Sequence, residues 1–77
     1  MAQIYFHCSS AGGVVLDRRG RDIEDLMETR EQAVGVVRKF ISMPGPEDWR
    51  DWILHVNDGN GEEIFVMPFS SLIGRPN

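Results

Sequence analysis

The chain has 77 residues, 42% of them hydrophobic and 26% charged, with a formal net charge of −4 and a single cysteine. That length holds one small core and no second domain, and the composition is that of a folded rather than a disordered protein. The acidic balance argues against general nucleic-acid or anionic-membrane affinity while leaving room for a local basic patch, and a lone cysteine excludes an internal disulfide.

No apolar run approaches the roughly 20 residues of a membrane span, and the N-terminus lacks the basic-then-apolar layout of a signal peptide. With Cys8 alone, a reducing compartment is expected, and the cytoplasm is the expected location. A domain of this size buries only about 60–65% of its unfolded surface, so dimerisation would help its stability.

Residues Gln3 to Ser9 read as a strand, with Ile4, Phe6 and Cys8 facing one way and Tyr5, His7 and Ser9 the other. Ser10 to Gly13 is turn chemistry, and Val14, Val15 and Leu16 form a β-branched return. Asp17 to Gly20 is a second turn, with Gly20 suited to a positive φ. Asp25 is a good N-cap, with Glu28 completing a capping-box-like pair. The helix follows over Leu26 to Ile41, and its apolar arc gathers Leu26, Met27, Ala33, Val34, Val37, Phe40 and Ile41. Pro44-Gly45-Pro46 stops it. Trp52, Leu54 and Val56 alternate with Ile53, His55 and Asn57, a half-buried strand. Asp58-Gly59-Asn60-Gly61 is a hairpin signal, and Ile64 to Phe69 is the returning strand.

The expected fold is α+β: one β-β-α-β-β domain over residues 1–77, with a four-stranded, mainly antiparallel sheet and one amphipathic helix on one face. Its parts are a hairpin over 3–20, the helix over 25–42, a hairpin over 51–69 and a short tail over 70–77. Some of Tyr5, His7, His55 and Phe65 fall on the uncovered sheet face, and Tyr5, His55 and Phe65 are the candidate interaction surface.

Tyr5-Phe6-His7, Asp17-x-x-Gly20, Asp25-Leu26 with Arg30 and Ala33, then Trp52, Asp58-x-x-Gly61 and Pro68-Phe69 make a pattern along nearly the whole chain. In it the sequence resembles a family of short alphaproteobacterial proteins labelled "domain of unknown function". It departs from that family at Thr29 and Gln32, where alanine is usual, and in its extra glycines in the first turn. The resemblance implies a shared fold and brings no activity.

Arg30 is the most informative charged residue, because its angular position lies within the apolar arc. Either its stem covers the core while the guanidinium reaches water, or it forms a bidentate pair with Asp17, with His7 nearby; a catalytic or anion-binding role is the third reading. His7 and Cys8 are neighbours on a strand, point to opposite faces and cannot share one ion. Cys8 alternates with Phe6 and reads as an inert core thiol. Placing either Gly59 or Gly61 at the invariant glycine of a calcium loop puts Leu54 or Val56 at the first ligand position, so that loop is a hairpin turn. Arg18, Arg19 and Arg21 are a candidate anion contact, although acidic residues surround them and no aromatics interleave for base stacking. With Ser9 and Ser10 at the first turn and Ser70 and Ser71 in the tail, no Ser-His-acid constellation is visible, and no metal or cofactor is expected.

The expected function is therefore that of a non-enzymatic protein-interaction or homodimerising module. The alternative is a nucleic-acid-associated or regulatory accessory protein using the Arg18 to Arg21 turn. No membrane partner is expected.

Overall fold

The computed structural model describes residues 2–43 and 48–73. Five strands and one helix follow in order: β1 (Ala2–Ser10), β2 (Gly13–Val15), β3 (Arg21–Ile23), α1 (Leu26–Ile41), β4 (Ile53–Asn57) and β5 (Glu63–Pro68). The fold is α+β, with an antiparallel sheet ordered β2-β1-β4-β5 and β3 also paired to β1. The strand β3 is additional to the four expected from the sequence.

Both β2 and β3 lie on the same side of β1, at its two ends. Cys8, Ser9 and Ser10 pair with Val15, Val14 and Gly13, while Ala2, Gln3 and Ile4 pair with Ile23, Asp22 and Arg21. Between them the chain leaves the sheet at Leu16 and returns after Gly20, whose φ of 71° is the left-handed geometry that favours glycine.

The alternation expected of β1 and β4 is observed. Ile4, Phe6 and Cys8, with Leu54 and Val56, are buried on the face that α1 covers. Trp52 and Ile23 join them, and Phe69, in a short 3₁₀ turn after β5, is fully buried. Phe69 stacks with Trp49, and the ring centroids of Trp49 and Trp52 are 5.3 Å apart, so an aromatic cluster closes the far end of the core.

The N-cap of α1 is Asp25, whose carboxylate accepts the Glu28 N–H at 2.7 Å. At the other end the Ser42 N–H donates to the Arg38 carbonyl; the expected Pro44 to Pro46 stop lies outside the described residues. The buried face differs from the expected arc. It runs through Thr29, Ala33 and Val37, while Leu26 is 59% and Met27 74% exposed. Two local facts explain the rotation. Thr29 can be buried because its hydroxyl donates to the Asp25 carbonyl at 2.8 Å, and Ala33, with no exposed surface, lets the helix axis approach the sheet. No helix among the described residues is long and apolar enough to cross a membrane.

Candidate functional site

Two polar assemblies meet on the sheet. The first fills the break between β2 and β3. There the middle of β1 has β4 on one side and no strand on the other, so its edge groups need other partners. Asp17 supplies them: one carboxylate oxygen accepts the Phe6 N–H at 3.2 Å, and the other accepts the N–H groups of Arg19 and Gly20 at 3.1 Å each. The Asp17 N–H donates in turn to His7 Nδ1 at 3.0 Å. Partial burial raises the carboxyl pKa, but the three N–H donors and the neighbouring imidazole outweigh it and hold Asp17 below its ordinary value.

Asp17 and His7 are thus brought together. Arg30, the third member of the expected cluster, is elsewhere: it is exposed, and its guanidinium lies 5.8 Å from the centroid of the Phe65 ring. The rotation of α1 removes Arg30 from the middle of the buried face and leaves no bond to Asp17. Its stem and planar head lie over the sheet margin instead.

The second assembly stands on the uncovered face, where His7 and His55 are directly opposed across β1 and β4. His55 Nε2 is 2.8 Å from Ser9 Oγ, and His55 Nδ1 is 2.9 Å from Glu63 Oε1. Glu63 reaches this face because of a register shift. Val56 pairs with Phe65 but Asn57 pairs with Glu63, so Ile64 is an extra residue and the side chains before it change face. Without that bulge, strict alternation would turn Glu63 towards the helix. Ser9, the last residue of the strand expected from the sequence, is the penultimate residue of β1.

Of the expected interaction residues, Tyr5 and His55 share the uncovered face, and the Tyr5 ring stacks on His7 with an interplanar angle of 10°. Phe65 is on the opposite face under Arg30 and does not join them. Among the candidate anion contacts, Arg18 and Arg19 are exposed. Arg21 is engaged: it donates to Gln32 Oε1 and stands over the Phe6 ring. Cys8 is buried in the core, and burial, with a smaller push from Asp17, raises its thiol to about 11. The Asp58 to Gly61 segment turns β4 into β5, with the Asp58 carboxylate accepting the Asn60 and Glu62 N–H groups. Among the described residues, no three His, Cys, Asp or Glu side chains gather as a metal-ligand set.

A third feature had no sequence signal beyond its apolar letters. The three aliphatic residues at and after β2 are all solvent-exposed: Val14 at 63%, Val15 at 42% and Leu16 at 58%. Beside them a cleft on the helix side is lined by Phe6, Val15, Val36 and Phe40 together with Asp17, Arg19, Gly20 and Arg21.

No curated protein and no solved structure matches the chain. Residues 3–70 match the model of a domain of unknown function, DUF6894, and the chain belongs to that family.

Proposed function

We propose that this protein is a homodimerising interaction module, and that two copies join edge to edge along β2. The observation that carries the reading is the run of exposed aliphatic residues Val14, Val15 and Leu16, at and just after a strand that, among the described residues, pairs only with β1. Side chains on both faces of this edge are apolar and in water, which is the description of a strand awaiting a neighbour.

A second copy is the occupant that the charge pattern favours. Each chain carries −4 overall, but residues Cys8 to Leu16 contain no charge, so two copies can meet here with least repulsion. Antiparallel pairing about a two-fold axis is also self-complementary, which is what an isologous contact requires. The other edge is blunted: β5 begins with Glu63, carries the bulge at Ile64 and ends at Pro68. A three-residue edge is short, and the cleft beside Val15 adds Val36 and Phe40 but also the charged Asp17, Arg19 and Arg21. The contact is then a small one, and the dimer is expected to dissociate on dilution. The free buried thiol of Cys8 supports a reducing compartment, the cytoplasm, as its location.

Sedimentation equilibrium over a concentration series tests this. The wild-type chain is expected to shift from monomer to dimer, and Val15→Lys to stay monomeric with an unchanged circular-dichroism spectrum. A wild-type mass that stays monomeric into the high micromolar range would refute the pairing.

A further inference from the structure

From Ser9, His55 and Glu63 we infer a second capability, independent of pairing at β2: Ser9 is a nucleophile for activated carboxylic esters with small apolar acyl groups. The three side chains come from three strands and make one directed chain. Glu63 Oε1 is 2.9 Å from His55 Nδ1, and His55 Nε2 is 2.8 Å from Ser9 Oγ. A carboxylate accepting the Nδ1–H fixes the tautomer that leaves the Nε2 lone pair facing the hydroxyl, which is the arrangement a general base needs.

The surroundings give the rest of a reactive patch. Ile53 stands directly opposite Ser9 and Val66 directly opposite His55, both exposed, so the nucleophile is flanked by apolar surface on which an acyl chain can rest. Backbone N–H groups within a sheet are largely spent on the ladder, so the donor for a developing oxyanion must be a side chain. His7, on the same face and directly opposite His55, is the side chain assigned to that role. Its Nδ1 accepts the Asp17 N–H, so in the neutral ring the proton is on Nε2, which is left free to donate.

In the step itself, Ser9 Oγ forms a bond to the ester carbonyl carbon and its proton passes to His55 Nε2. The tetrahedral species collapses, the carbon–alkoxide bond breaks, and the leaving oxygen takes that proton as an alcohol. Water then attacks the acyl-Ser9 ester, again giving a proton to His55, which returns it to Ser9 Oγ as the carboxylic acid departs. No co-reactant beyond water is needed.

The test is labelling of the full chain with an alkyl fluorophosphonate, with each modified serine located by peptide mass. Ser9 Oγ attacks phosphorus, fluoride leaves, and the proton reaches solvent through His55. Ser9 is expected to react about 100-fold faster than the exposed Ser70, and His55→Ala is expected to remove that advantage. Glu63→Gln, an exposed change that spares the fold, is expected to lower it by a smaller factor by releasing the tautomer. The same order is expected for the first turnover of p-nitrophenyl acetate. Labelling of Ser9 no faster than Ser70, or equally fast in folded His55→Ala and Glu63→Gln, would overturn the inference.

Discussion

The Asp17 carboxylate accepts N–H groups from Phe6, Arg19 and Gly20, and so replaces the strand that is missing beside the middle of β1. Asp17→Asn keeps the shape but turns a donor towards one of those N–H groups. Urea unfolding at neutral pH is expected to show a loss of about 1 kcal/mol, the cost of a part-buried N–H that loses its acceptor. The sign of the pH dependence follows from the lowered carboxyl. Its stabilisation is fully present above the ordinary value of 3.8 and is lost as pH falls through the lower folded value. The gap between wild type and Asp17→Asn is therefore expected to narrow in acid below 3.8; a constant gap would mean that the ionised carboxylate is not the cause. At Gly20 the backbone itself decides. An added Cβ would lie 2.9 Å from a Tyr5 ring carbon, at a φ that L-residues avoid. Thermal unfolding of Gly20→Ala is expected to report a loss of about 1–2 kcal/mol from backbone strain alone, with the contact adding to it.

At the scale of elements, α1 distinguishes the observed face from the one the sequence favours. Ala33 is fully buried against the sheet, so Ala33→Leu is expected to cost about 1–3 kcal/mol by overpacking. Met27, in the nominal apolar arc but 74% exposed, is expected to tolerate alanine within about 0.5 kcal/mol. Denaturant midpoints of the two variants check both, and the reverse order would restore the nominal arc. Much of this layer was legible in the sequence. Alternation placed Ile4, Phe6, Cys8, Leu54 and Val56 correctly, and Asp25 marked the helix start, because side-chain period and cap chemistry are local. Three features were not legible for one shared reason: each is settled by a distant partner. The strand β3 is Arg21-Asp22-Ile23, two charged residues and one apolar, too short to show alternation, and it is a strand only because β1 pairs with it. The helix face is set by how closely Ala33 and Thr29 can approach the sheet. Glu63 reaches His55 only through the bulge at Ile64, which inverts the parity that a pattern reading assumes.

For the molecule as a whole, the two faces and two edges have different fates. The helix covers one face, the other carries the Ser9-His55-Glu63 chain, β5 is blunted, and β2 is left apolar and open. A chain of 77 residues has little core to spare, and extending its sheet across a two-fold axis adds buried area without lengthening the sequence. Amide hydrogen exchange, followed residue by residue across a dilution series, tests edge pairing most directly. The β2 amides that point away from β1 are predicted to gain protection as concentration rises, while those of the β5 edge exchange at the same rate throughout. Protection at β2 that does not depend on concentration, or that grows at β5 instead, would contradict the account.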